Sequence, residues 1–484
     1  MTLCMAEGHA QNINGKEAQD AFDEFRKAVT EEFESFRQQY MDDFVEFMRN
    51  PWKEFEETKP VPKPKDEPVP PVVMPEEDKD KPIKDKPVVI DEVVKPAPIE
   101  PQPKPVEPID EVPVVEEKTV GVTFYGSELK VRFDIDYKIR LSSTDRNSIA
   151  DAIGKLQPEN YDNLLFDCLK LRSELNLSDW AYMQLLEKIA EKIQGKDSNE
   201  SALLMAYLYV QSGYKMRLAS DGSKIYMLYA SKHIIFNQPS FDVDGEKFYG
   251  VKKLPTRLFI CEAAFPKEKS MSLFIPKIQH FASKPSETRT IVSKKYPDVK
   301  MSVSVNQNLM AFYNTYPTSM VDDNFMTRWA MYANTPMDNY VSTQLYQALR
   351  DKLKGLTQLE AVNVLLNWVQ TGFVYEYDDK VWGGDRAFFA EESLYYPYCD
   401  CEDRSILFTR LVRDLLGLDC ILIYYPGHLA SAVEFKQGDV AGDYILLNGR
   451  KYIVADATYI NAPVGRTMPD MDNKTAKVIL LNKQ

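Results

Sequence analysis

Cys401, His428 and Asp456 are the residues whose types and spacing could do chemistry. A thiolate attacks an amide carbonyl, an imidazole takes up the thiol proton and returns it to the leaving amine, and a carboxylate orients the ring and stabilises its charged form. The run Tyr398-Cys399-Asp400-Cys401-Glu402-Asp403 offers two thiols. Cys401 is favoured because it opens a helix, where unpaired N–H groups and the positive dipole end stabilise a thiolate; Cys399 precedes the cap. Asp400, Glu402 and Asp403 oppose that effect, so a histidine partner is needed to hold the thiolate. A zinc site on Cys399, Cys401 and His428 is a rival use of the same residues, but the spacing fits no common structural zinc site and a fourth ligand is not evident. The bland alternative makes Cys401 a small buried hydrophobe and His428 a satisfied core residue.

Three elements must bring these groups together. After Asp403, Ile406, Leu407, Leu411, Val412, Leu415 and Leu416 recur at helical spacing, with Asp400 as N-cap and Gly417 as the stop. Residues 419 to 425 read as a strand, Pro426-Gly427 as a turn, and His428 opens the returning strand. Asn448-Gly449 marks a tight hairpin whose second strand ends at Asp456. A plain meander would leave His428 and Asp456 at opposite ends of the sheet, about 20 Å apart at 3.3 Å per residue. Lys436 to Gly442 must therefore reverse the chain, so that the strand ending at Asp456 runs antiparallel to the one that His428 begins.

This order resembles the transglutaminase-like branch of papain-type cysteine enzymes, in which Cys-x-Asp opens a helix, a histidine begins a strand and an Asp-Pro-Thr closes the next. Asp400-Cys401-Glu402-Asp403, Gly427-His428 and Asp456-Ala457-Thr458 carry the likeness, with Ala457 in place of the usual proline. Leu366-Asn367-Trp368-Val369 and Phe373-Val374-Tyr375 look like the helix and aromatic lead-in of the same proteins, so the likeness spans residues 340 to 465. It implies an α+β fold with the cysteine helix packed on an antiparallel sheet. It also implies a Cys401–His428–Asp456 triad that transfers an acyl group from a peptide or protein substrate to water or to an amine, without a cofactor or metal. The Cys401 N–H is the expected oxyanion donor, and the second donor is left unassigned. An inert scaffold or binding protein of the cell envelope on the same fold is the alternative.

Four segments are expected: residues 1–58 with an N-terminal amphipathic helix, 59–118 as a Pro-rich disordered linker, 119–280 as an α+β domain and 281–484 as the catalytic domain. In the first, Phe22, Phe25, Val29, Phe33, Phe36, Tyr40, Phe44 and Phe47 repeat every eleven residues along a helix over 16–50 that stops at Asn50-Pro51. That stripe serves either self-association or partner docking, or it packs on its own body. Residues 1–10 are read either as a truncated signal peptide, which would place the protein in the envelope, periplasm or outside the cell, or as an ordinary N-terminus. Sixteen of the 30 prolines lie between Pro60 and Pro113, with no glycine or aromatic residue among them, which predicts a polyproline spacer.

A shift of 204 residues lays Ser201 to Leu204 on Ser405 to Phe408 and Asp244-Gly245 on Asn448-Gly449. Residues 119–280 are thus a candidate degenerate copy, with Asp197, Lys224 and Lys252 at the triad positions and some 25 fewer residues ahead of the cysteine helix. Chance agreement of two helix-then-hairpin units is the alternative, and a different strand order would end the idea. A net charge of -14 disfavours nucleic acid and anionic membranes as partners. No run of 18 apolar residues is present, so no transmembrane segment is expected. Six cysteines in 484 residues are too few for a disulfide framework.

Overall fold

The computed structural model describes residues 37–64, 69–105, 109–471 and 474–482. They form two mixed α+β units. The first comprises residues up to 61, 100–273 and 279–282; the second comprises 62–99, 274–278 and 283–484.

In the first unit, helix α1 (Arg37–Met48) is the described end of the predicted long helix; residues 16–36 lie outside the described residues. Met48 is fully buried and the Phe44 ring sits 4.3 Å from that of Phe265, so this part of the stripe packs on its own unit, while Phe47 is exposed. Helices α2 (Asp179–Gln194) and α3 (Asn199–Gln211) start at Ser178 and Ser198, whose hydroxyls accept the N–H groups of Ala181 and Ser201. Five strands of one sheet follow: β1 (Met216–Ser220), β2 (Ile225–Ala230), β3 (Ser240–Val243), β4 (Glu246–Gly250) and β5 (Arg257–Ile260). Their order in the sheet is β5-β1-β2-β4-β3, with Lys53–Glu56 added beside β5.

In the second unit, helices α4 (Gln358–Gly372) and α5 (Cys401–Leu416) precede β6 (Cys420–Tyr425), β7 (His428–Glu434), β8 (Asp443–Leu447), β9 (Arg450–Ala455) and β10 (Ala476–Leu480). The order is β10-β6-β7-β9-β8, and every neighbouring pair is antiparallel. Ile423, Ala430, Val454 and Val478 lose all contact with water in the core beneath this sheet, each fully buried Val or Ile contributing about 1.5–3 kcal/mol.

Strand for strand, the two sheets have one order, since β1 to β5 correspond to β6 to β10 and all five are antiparallel in the first unit too. The result that would have ended the repeat idea is not found. The matched hairpins turn at Asp244-Gly245 and Asn448-Gly449, all four residues at positive φ as a two-residue hairpin of this hand requires. The register that these hairpins set puts Asp197, Lys224 and Lys252 at the triad positions. Helix α3 begins two residues later than α5 in this register, so Asp197 lies just before the cap Ser198, and Asn199 is the first helical residue as Cys401 is in the second unit. The pair Leu228–Gly250 matches Ala432–Val454, so Lys224 stands for His428 and Lys252 for Asp456. The β1–β2 and β6–β7 connections are equally long in this register, with Asp221 and Lys224 matching the pair Tyr425–His428.

The Pro-rich stretch is not the free spacer that its composition predicts. Val72–Val73 pair in parallel with Tyr459–Ile460, Lys86–Pro87 with the start of β8, and Ile90–Val94 with β10. Proline is tolerated because these are outer strands, where a missing N–H removes no ladder bond. The interleaved apolar residues supply what the prolines cannot, with Met74, Val88 and Val94 buried.

Candidate functional site

Short local signals set where each of the three residues sits. Asp400 caps α5, its carboxylate accepting the N–H groups of Glu402 and Asp403, and Asp403 returns the bond to the Asp400 N–H at 3.2 Å. Cys401 is thus the first residue of the helix, with its N–H outside the capping set. Gly417 closes the helix in the left-handed conformation. The Pro426-Gly427 turn delivers His428 to the first position of β7. β8 lies outside β9, so 435–442 carry the chain past one strand position and β9 returns antiparallel to β7. That is the reversal the sequence demanded, and it sets Asp456 beside His428.

His428 Nε2 and Asp456 Oδ2 are 2.8 Å apart. The other carboxylate oxygen accepts the N–H groups of Thr458 at 2.8 Å and Tyr459 at 3.2 Å, which fixes the group within its turn. Gln370 Nε2, from α4, donates to the carbonyls of Asp456, Tyr459 and Ala462 and holds that turn from behind. His428 Nδ1 is buried and has no hydrogen-bond partner among the described residues. The ring therefore has one nitrogen tied to the carboxylate and the other uncommitted.

Cys401 meets this strand at its start. The Leu429 N–H lies against the thiol, and Ser405 Oγ, one helical turn on, donates to the Leu429 carbonyl at 2.8 Å. Burial, then Asp400 and Glu402, push the Cys401 thiol well up, and the Leu429 N–H pulls the other way. Cys401 is 7% exposed and His428 2%. The outer stretch runs along both sides: the Val69 N–H donates to the Gly427 carbonyl at 2.9 Å, and the Met74 N–H to that of Ile460 at 2.9 Å.

Cys399 is placed otherwise. It lies on Tyr398–Cys399, which pairs with Val374–Tyr375, and its thiol approaches the Val374 carbonyl at 3.9 Å. A third group near Cys401 is one that its sequence position did not single out. The Tyr375 hydroxyl is buried without a hydrogen-bond partner among the described residues, and burial, then Cys401 and Asp400, push it far up. Arg404 fixes that segment, donating to the carbonyls of Gln370 at 3.1 Å and Phe373 at 2.9 Å, with its guanidinium 5.2 Å from the Tyr375 ring.

Among the described residues, the metal-type cluster is Asp378, Asp385 and Glu402, not the Cys399–Cys401–His428 set. Two cations already balance it. Arg328 donates to Asp385 and Glu402, and Lys63 lies 3.0 Å from Asp385. Burial and then Asp400 push the Asp378 carboxyl up to about 8, and burial and then Asp385 push that of Asp400 up to about 6. Neither the protein-family models nor the curated proteins compared with this chain match it. Among the described residues, no helix is long and apolar enough to cross a membrane.

The same region sets a pH dependence. Glu391 is 1% exposed and accepts the Asp338 N–H at 2.6 Å, and burial pushes its carboxyl up to about 8. A carboxyl raised above its unfolded value of about 4.3 contributes fully below that pH and loses its contribution as pH rises through the folded value. Glu391→Gln keeps an acceptor for Asp338 and removes the ionisation. The variant is expected to match the parent at pH 4 to 5 and to exceed it by about 2–4 kcal/mol at pH 8.5, read from denaturant midpoints at the two pH values. Equal midpoints at pH 8.5 would refute this.

Proposed function

We infer that the second unit is a cysteine-dependent acyl-transfer enzyme of transglutaminase-like type acting on peptide amides. The observation that supports this reading is the divided imidazole of His428, held by Asp456 through Nε2 and unpartnered at Nδ1, at the strand start against which the Cys401 helix is pinned. Nδ1 takes the Cys401 proton as the sulfur attacks the carbonyl carbon. The imidazolium, stabilised by Asp456, then protonates the leaving amine. The Cys401 N–H and the Tyr375 hydroxyl are the donors proposed for the oxyanion. Water or a second amine, deprotonated by Nδ1, releases the acyl group from sulfur.

One observation favours the scaffold reading, namely the burial of both Cys401 and His428 and the upward push on the thiol. Iodoacetamide separates the two. The enzyme requires Cys401 to label at least about tenfold faster than buried Cys420, and this excess to vanish in His428→Ala. Labelling at the Cys420 rate, with no turnover of a peptide library in the presence or absence of a primary amine, would leave the scaffold.

A further inference from the structure

The first unit repeats the helix-and-sheet plan of the second, yet it has none of the chemistry. Asp197, Lys224 and Lys252 stand where Cys401, His428 and Asp456 stand in the second unit. Asn199, the first residue of α3, is a structural pin: its Oδ1 accepts the Ile225 N–H at 2.9 Å and its Nδ2 donates to the Ser223 carbonyl at 3.1 Å.

Asp197, Lys224 and Lys252 all line one open cleft, as does Asn199. It is open for a reason visible in the chain: α2 and α3 are joined by residues 195–198, whereas residues 373–400 join α4 and α5 and bring Tyr375 and Asp400 to the cysteine. The floor is apolar, with Met205, Ile225 and Met227 buried and Leu254 beside them. The rim is charged in both signs. Lys252 Nζ lies 3.3 Å from Glu187, 2.6 Å from Glu191 and 2.5 Å from Asp197, so three carboxylates share one ammonium. Lys224 and Lys253 stand exposed on the same rim.

We propose that this cleft is a non-catalytic peptide-binding site that holds a stretch of the substrate chain remote from the bond being broken. An apolar floor takes one side chain, and a rim with surplus carboxylate on one part and lysine on another suits a segment bearing both amine and carboxylate groups. The choice of peptide as occupant rests on the reading of the second unit as a peptide-acting enzyme. The cleft and its lining do not. Tethering a substrate there raises its concentration at the active thiol without changing the chemical step.

The test uses the full chain carrying Cys401→Ala and fluorescein-labelled casein, an extended chain of mixed sequence, with binding followed by anisotropy. Ala202→Trp, on the cleft-lining face of α3, fills the space; Lys224→Glu with Lys253→Glu reverses two exposed rim charges and leaves the core alone. Each is expected to weaken casein binding at least about tenfold. In the chain with Cys401 intact, each is expected to raise KM for casein while kcat for a short peptide amide stays at the parental value. If Ala202→Trp does not fold, the lysine pair decides. Casein affinity unchanged in the folded variants overturns the proposal. Failure of the enzyme reading looks different: no turnover of any peptide, with casein binding still sensitive to Ala202→Trp.

Discussion

Replacing Cys401 by Ala is expected to lower kcat for peptide-amide turnover by at least about 10⁴-fold. The loss is that of the nucleophile, since the remaining oxyanion donors and binding contacts stabilise a transition state that no longer forms a covalent bond. His428→Ala is expected to cost nearly as much, and the double variant no more than either single one, because two groups that act on one proton fail as a unit. Neither change should unfold the chain: Cys401→Ala removes one sulfur from a helix start whose cap is made by Asp400, a cost of about 1 kcal/mol. Because burial and the flanking acids push the thiol up, its labelling by iodoacetamide should climb steadily from pH 6 to 9 instead of levelling off near neutrality. Steady-state kinetics and thermal unfolding on the same three variants check the prediction. Turnover within tenfold of the parent in Cys401→Ala would move the chemistry elsewhere.

The parts of this site that could be read from the chain are those set by signals a few residues long. Asp400 and Gly417 bracket α5 because a carboxylate satisfies the first N–H groups and a glycine tolerates the left-handed stop. Pro426-Gly427 and Asn448-Gly449 place the two hairpins within one residue. Chain reversal between β7 and β8 followed from strand length alone, since only an antiparallel return brings Asp456 back to His428.

What could not be read depends on partners far along the chain. Val72–Val73 meet Tyr459–Ile460 across nearly four hundred residues, in a parallel pair two residues long that leaves no periodic trace. The composition of 60–113 forbids a core of its own but says nothing about joining the edge of another. Gln370 looks like an ordinary polar residue in an apolar helix until the turn at Asp456 supplies three carbonyls for it. The repeat was visible as a coincidence of helix and hairpin, but that the two sheets share one strand order depends on pairings between segments far apart in the chain. Tyr375 stood in the aromatic lead-in to the family likeness, and only the pairing of Val374–Tyr375 with Tyr398–Cys399 puts its hydroxyl beside the thiol.

That hydroxyl carries the second large effect. A buried phenol without a partner is costly to a fold that derives nothing from it, because the group has left water and gained no bond. Tyr375→Phe removes the cost, so the variant is expected to be at least as stable as the parent. If the hydroxyl donates to the developing oxyanion, the same change should lower kcat about 10²- to 10³-fold with KM little altered, as loss of one preorganised donor does. Alkylation of Cys401 by iodoacetamide builds no oxyanion, so its rate should be unchanged in Tyr375→Phe. A purely structural tyrosine would move labelling, stability and turnover together; an oxyanion donor moves turnover alone. Equal kcat in the two proteins would leave the Cys401 N–H without Tyr375 as its partner at the oxyanion.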